Sequence, residues 1–212
     1  MLPYTHYLFD LDGTLIDSAP AILASFREAF ARAGVAPVRA IDASVIGPPL
    51  VETLQLLAGR TDAALIDALA GHFKASYDTT GYQATTAYAG VGEMLARLKG
   101  AGRYLAIATN KRLHPTGLIL AHLGWDGHFD AVYALDRFTP RLPDKAAMIA
   151  RLVADEGVPR DGAVYIGDRS EDGESADANG LPFIATTWGY GSLTPADLKP
   201  HWQAVNTPAE LG

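Results

Sequence analysis

The sequence predicts an α/β protein whose parallel sheet is interrupted, after its first strand, by a block of helices. Three observations carry that expectation. The aromatic and aliphatic run Tyr4 to Asp10 has the composition of a buried strand, and Asp12-Gly13-Thr14 directly after it supplies a turn. From Asp17 to about Thr80 the apolar residues recur only at helical spacing. Beyond the Thr-rich stretch Gly81 to Ala89, helical and strand patterns alternate strictly, which is the mark of βαβ units and a parallel sheet.

The elements follow in order. Ile22, Leu23, Phe26, Phe30 and Ala33 define one face of a helix over Ala19 to Ala33, with Pro20 near its start and Gly34 just past its end. A second helix, Leu50 to Leu57, opens after Pro48-Pro49. A third, Asp62 to Tyr77, takes Thr61 as its expected N-cap and carries Leu65, Ile66, Leu69, Phe73 and Tyr77 on one face. Downstream, the helix Val91 to Lys99 leads to the strand Tyr104 to Ala108, and the helix Pro115 to Leu123 to the strand Ala131 to Ala134. The helix Lys145 to Glu156 leads to the strand Ala163 to Ile166, and a helix around Gly173 to Asn179 to a last strand, Phe183 to Thr186. Residues 1–16 and 83–212 are thereby assigned to a Rossmann-like parallel-sheet core and residues 17–82 to a helical insertion.

Composition narrows the chemistry. The 212 residues include 17 Lys+Arg against 24 Asp+Glu, for a net charge of −7, and no cluster of cations exceeds the pair Lys111-Arg112. That balance argues against nucleic acid as a partner. The absence of Cys excludes disulfides, thiolate zinc sites and a cysteine nucleophile, and points to the cytoplasm. Asp10 arrives before an apolar run can develop, so the start does not read as a signal peptide. The longest uncharged stretch, Ala178 to Ala196, is broken by Gly180, Pro182, Gly189, Gly191 and Pro195, so no membrane span is expected. The six His residues lack ligand spacing and read as structural, and Trp125, Trp188 and Trp202 read as packing residues. Nothing indicates an oligomeric state.

In an open parallel sheet, ligands gather beyond the carboxyl ends of the strands. Those ends carry Asp10 and Asp12, then Thr109-Asn110, then Gly167-Asp168 with Asp172 four residues on, while Lys145 opens the helix before the last of these strands. Acids crowded at one edge repel each other unless a cation relieves them. Oxygen-only ligands favour Mg²⁺, which commonly shares carboxylates with substrate phosphate, and a lysine and a threonine suit the remaining phosphate oxygens.

The array resembles the haloacid dehalogenase superfamily of phosphohydrolases. Phe9-Asp10-Leu11-Asp12-Gly13-Thr14-Leu15 is similar to its DxDGT motif, Ile107-Ala108-Thr109-Asn110-Lys111 and Lys145 to its second and third motifs, and Val164 to Asp172 to its hhhGDxxxD motif. A helical insertion after the first motif resembles one cap type of that family. Ile46-Gly47-Pro48-Pro49-Leu50 and Gly189-Tyr190-Gly191-Ser192 resemble the branch that holds phosphoglycolate phosphatases and nucleotidase-like enzymes. The resemblance implies Asp10 as nucleophile and Asp12 as general acid and base. It implies Mg²⁺ held by the Asp10 carboxylate, the Asp12 backbone carbonyl and the Asp168 carboxylate, with Asp172 behind them. Phosphoryl oxygens would be bound by Thr109, the Asn110 backbone and Lys145. The Lys-Pro pair usual in the third motif is missing, which leaves Arg141 as a substitute for Lys145. Lys111-Arg112 reads as a solvated pair, though it lies near enough to the site to touch substrate.

The function this implies is a Mg²⁺-dependent phosphatase acting on a small phosphorylated metabolite, phosphoglycolate phosphatase-like. A nucleoside 5'-monophosphate phosphatase and a phosphomutase stand as alternatives, and a receiver-like phosphoacceptor domain as a non-enzyme one. The insertion is expected to be a mobile lid with linkers near Asp17 and Gly81. Its few cations, Arg27, Arg32, Arg39, Arg60 and Lys74, are expected mostly on solvated faces.

Overall fold

Side chains alternate across a strand, so a sheet covered on both faces needs apolar residues at every position. The central strand β1 (His6–Phe9) meets that demand, with Tyr7 and Phe9 buried on one face and Leu8 on the other. The structure, a computed structural model, describes residues 2–191, 193–194 and 196–211. Its main sheet has six strands, all paired in parallel. Besides β1 these are β4 (Tyr104–Thr109), β5 (Ala131–Ala134), β6 (Ala163–Gly167), β7 (Phe183–Thr186) and β8 (Gln203–Val205), in the order β5-β4-β1-β6-β7-β8. A separate two-stranded antiparallel ribbon joins β2 (Ile16–Asp17) to β3 (Thr86–Ala87).

Between the two strands of that ribbon lie the helices α1 (Ala19–Ala33), α2 (Leu50–Ala58) and α3 (Ala63–Tyr77). Phe26 and Phe30 of α1 bury against Leu69 and Phe73 of α3, with the Phe26 and Phe73 rings 4.7 Å apart. The connecting helices of the sheet are α4 (Val91–Gly100), α5 (Leu113–His122), α6 (Lys145–Asp155) and α7 (Ser170–Ala178). Val91, Met94 and Leu98 of α4 pack on the Tyr7/Phe9 face, while Met148, Ile149 and Leu152 of α6 pack on the Leu8 face.

Two helix starts need correction, and the short strands and the Gly81 turn add to the sequence expectation. The N-cap of α3 is Asp62 rather than Thr61, because its carboxylate accepts the Leu65 N–H at 2.9 Å. α7 begins at Ser170, three residues before the sequence indicates; its polar first turn hides the helix from a hydrophobic pattern, although Glu171 and Asp172 suit the positive end of the helix dipole. The short β2, β3 and β8 carry too few residues to produce an alternating pattern. Gly81 opens a single 3-10 turn, Gly81–Ala84, against Ser25 and Ser76, and the chain pairs back with β2 only at Thr86.

Candidate active site

Register fixes which residues meet. Phe9 of β1 is level with Ile107 of β4 on one side and Ile166 of β6 on the other. The residues that follow these strands therefore emerge together beside β1, where the chain, having run outward through β4 and β5, crosses back to β6 on the other side. Asp10 extends this alignment by donating its N–H to Ile166 O at 2.9 Å. The turn after it is closed by Gly13 N–H donating to Ile16 O at 2.9 Å. Gly13 has φ +88°, and a Cβ there would collide with the Asp168 carboxylate. Glycine is thus required twice over, for the backbone conformation and for the approach of Asp168.

Lys145 sits at the head of α6, which Asp144 caps by accepting the Ala147 N–H at 2.8 Å. Its ammonium reaches Asp172 Oδ1 at 2.5 Å and Asp10 Oδ1 at 3.2 Å, with all three side chains buried. Asp172 also accepts the Arg169 N–H at 3.0 Å, and Asp168 accepts the Gly191 N–H at 2.8 Å. Asp10 Oδ1, although close to Lys145, has no aligned hydrogen-bond donor.

Carboxylate oxygens of Asp10, Asp168 and Asp172 all lie within 4.8 Å of one another. Burial pushes the Asp10 carboxyl up to about 7, a rise that Lys145 opposes and Asp172, Asp168 and Asp12 reinforce. Burial and then Asp172 likewise push Asp168 up to about 6 against the Gly191 N–H. For Lys145, burial disfavours the charge, but Asp10 and Asp172 outweigh it and hold the ammonium well above its usual range. Two of the three buried carboxylates thus share one ammonium, and one of the cluster's oxygens has no donor. An oxygen-ligated divalent cation such as Mg²⁺ fits that donor set and charge.

Asp12 turns the other way. Its carboxylate accepts from Lys111 Nζ at 3.0 and 3.1 Å and from the Ser18 hydroxyl, so its side chain stands outside the acidic cluster. Thr109 is buried, its hydroxyl accepting the Lys111 N–H at 3.2 Å. Asn110 Nδ2 donates to Gly47 O at 3.2 Å and to Glu171 Oε1 at 3.3 Å.

The profile of the family described as haloacid dehalogenase-like hydrolase matches residues 7–186, most of the chain, with Asp10, Asp12, Thr109, Asn110, Lys145, Asp168 and Asp172 among them. The chain belongs to the haloacid dehalogenase-like hydrolases. Among curated relatives, the tyrosine-protein kinase PtkA of Mycobacterium tuberculosis is 36% identical over 186 residues, which are 87% of this chain and 62% of PtkA. The chain therefore spans less than two thirds of that relative's length. The phosphoglycolate phosphatase of Rhodobacter capsulatus is 38% identical over 201 residues, covering 92% of this chain and 89% of the relative. A crystal structure described as a predicted phosphatase from Clostridium acetobutylicum matches with a TM-score of 0.86 at 29% identity, over 99% of this chain and 97% of that one.

Around this site several residues stand otherwise than the sequence suggests. Lys111 is no solvated lysine: its side chain is 6% exposed, paired with Asp12 and lying 4.8 Å from the centre of the Tyr77 ring. Arg112 is paired with Asp78 rather than with water. Arg141 lies in a half-exposed ion pair with Glu52 at 2.8 Å and does not replace Lys145 beside Asp10. Ser18, the N-cap of α1, makes no cap bond because its hydroxyl is engaged with Asp12. The Tyr190 hydroxyl takes over by accepting the Ser18 and Ala19 N–H groups at 2.6 and 2.9 Å while donating to Asp17 at 2.7 Å. Of the segment Gly189-Tyr190-Gly191-Ser192, Ser192 lies outside the described residues. Adjacency to Thr109-Asn110 was the one available signal for Lys111.

Above Asp12 lies a cavity of about 70 Å³ lined in part by Phe26, Val45, Phe73, Tyr77 and Lys111. Its walls come mainly from α1, α3 and the segment before α2, and its floor from the loop after β4. Among the described residues no helix is long and apolar enough to cross a membrane.

Proposed function

We propose that this hydrolase is a Mg²⁺-dependent phosphatase of small phosphomonoesters, working through an aspartyl-phosphate on Asp10. The observation that carries the reading is the buried cluster of Asp10, Asp168 and Asp172 around Lys145 at the carboxyl ends of adjacent parallel strands, with more negative charge than one ammonium balances. The likeness to a phosphoglycolate phosphatase over 92% of the chain supports it, and 2-phosphoglycolate is the first substrate to try.

In this reading the Asp10 carboxylate attacks phosphorus and the ester P–O bond breaks, with the leaving oxygen taking a proton from Asp12. Water then attacks the aspartyl-phosphate and gives a proton to Asp12, and the bond from phosphorus to Asp10 breaks to release phosphate. Lys145, Thr109 and the Asn110 backbone hold the phosphoryl oxygens. Asp10, the backbone carbonyl of Asp12 and Asp168 would hold Mg²⁺, with Asp172 supporting them; the ion supplies charge for the phosphoryl oxygens and lets the acids coexist. Residues 17–82 act as a cap that excludes water from the cavity over Asp12 and shapes the leaving-group pocket. The cysteine-free composition suits the cytoplasm.

A phosphate-release screen tests this, with 2-phosphoglycolate, nucleoside monophosphates and sugar phosphates, each with Mg²⁺ and with excess chelator. Glucose 1-phosphate with a bisphosphate primer is added to expose mutase activity. Release from a monophosphate that stops in chelator is the expected result. Full release in chelator contradicts the metal assignment, and isomerisation without phosphate release contradicts the phosphatase.

A further inference from the structure

Two charged residues occupy helix ends that disfavour them. Asp78 closes α3 (φ −79°, ψ −7°), where the negative end of the helix dipole repels a carboxylate. Arg112 immediately precedes α5, among N–H groups that disfavour a cation, and its side chain caps none of them. α5 instead borrows a carboxylate from elsewhere, its Leu113 N–H donating to Asp136 at 2.9 Å. The two misplaced charges meet each other. Arg112 Nη1 and Nη2 donate to Asp78 Oδ2 and Oδ1 at 2.7 and 2.5 Å, with side chains 19% and 14% exposed. A two-pronged, largely buried pair of this kind is among the stronger ionic contacts. Residues that break a local rule and find compensation only in tertiary structure are the ones expected to serve function.

The neighbours of the pair show what it holds. Tyr77, one residue before Asp78, places its buried ring against the Lys111 ammonium, and Lys111, one residue before Arg112, donates to both oxygens of Asp12. Two consecutive residues at the end of α3 are therefore held by two consecutive residues of the loop after β4. That same loop directly follows Thr109, the last residue of β4.

We propose that Arg112 and Asp78 are positioning residues for the phosphatase reaction, an inference that rests on the reading above. Their fork pins the end of α3 to the core, which fixes Tyr77 against Lys111 and, through Lys111, sets the direction of the Asp12 carboxylate for proton transfer. Neither residue touches the substrate in this account. Loss of the fork misaligns Asp12 and slows turnover while substrate binding changes little.

Steady-state kinetics and melting temperatures of Arg112→Ala, Asp78→Asn and the reversed pair Arg112→Asp/Asp78→Arg test this. Each single variant is expected to lower kcat by about tenfold or more, within the range of lost general acid–base help, with KM changed less than about threefold. Asp78→Asn leaves Arg112 without its counter-charge, so its melting temperature is expected to fall, and kcat is compared well below that temperature, where the variant is still folded. The reversed pair restores the fork and puts each charge at a favourable helix end, so its kcat is expected to recover to within about threefold of the native value. Singles with native kcat, kcat losses that only follow melting-temperature losses, or a reversed pair as slow as the singles would each overturn the proposal. Failure of the native chain to release phosphate from any monoester with Mg²⁺ would instead overturn the phosphatase reading, and the positioning role with it.

Discussion

The floor and the roof of the site obey opposite chemistry. The floor, at the carboxyl ends of β1, β4 and β6, crowds Asp10, Asp168, Asp172 and Lys145 into a buried polar cluster. Gly13 and Gly189 make it tighter, since a Cβ at either position would collide with Asp168. The roof, built from α1, α3 and the residues before α2, is apolar, and its contact with the floor runs through separate polar ties such as Ser18–Asp12 and Asp78–Arg112. A floor so constrained suits one kind of chemistry, phosphoryl transfer, whereas an apolar wall can be reshaped one side chain at a time to take different leaving groups. The predictions below ask whether the division is real, starting from the floor.

Asp10→Asn removes the proposed nucleophile at the centre of the floor and should reduce turnover by about 10³-fold or more, as loss of a covalent nucleophile does elsewhere. Phosphate release under saturating substrate measures it. Asp12→Ala, at the junction of floor and roof, should fall about 10²–10⁴-fold, the range for general acid–base help. If the Asp12 variant turned over normally, proton transfer would have to be assigned to another residue.

The floor's crowding should also appear in stability without any substrate. Asp10 at about 7 and Asp168 at about 6 lie above the range of an unfolded carboxyl, so the folded metal-free chain holds protons that the unfolded chain releases. Their contribution to stability is then complete below about pH 4 and is lost as pH rises to about 7. Melting curves in chelator should therefore decline from pH 5 to pH 8, and Mg²⁺ should restore more at pH 8 than at pH 5. Asp168→Asn should flatten the decline and blunt the Mg²⁺ response. A melting temperature independent of pH and Mg²⁺ would argue against a charged, metal-binding floor.

The smallest effect is expected at the rim. Arg141, one sequence candidate for the third-motif cation, forms only a half-exposed pair with Glu52, so Arg141→Ala should cost at most about 1 kcal/mol and leave turnover nearly unchanged. Lys145→Ala, by contrast, strips a buried cluster of its counter-charge and should cost about 3–5 kcal/mol. Denaturant titration of the two variants compares them directly.

The same division explains what could be read from the sequence. Strand ends of a parallel sheet converge by topology, so Asp10, Thr109 and Asp168 could be brought together from the order of helices and strands alone. The fold class followed from the same alternation. The roof offered no such rule. Lys111 and Arg112 look like any exposed pair until the end of α3 arrives above them, and that arrival depends on packing between residues far apart in sequence. Tyr190 caps α1 from more than 170 residues away because Ser18 is engaged with Asp12, and neither half of that exchange has a local signature. The start of α7 was hidden for a different reason: its first turn is selected by charge against the helix dipole, not by an apolar stripe.

The central claim is that phosphate passes through Asp10. Rapid acid quench of the Mg²⁺-loaded enzyme during turnover, followed by peptide mass spectrometry, tests it most directly. The account predicts one added phosphoryl group on the peptide containing Asp10, formed and lost at rates consistent with turnover and absent in Asp10→Asn. Turnover with no adduct at any time point under conditions that preserve acyl phosphates, or an adduct on another residue, would contradict it.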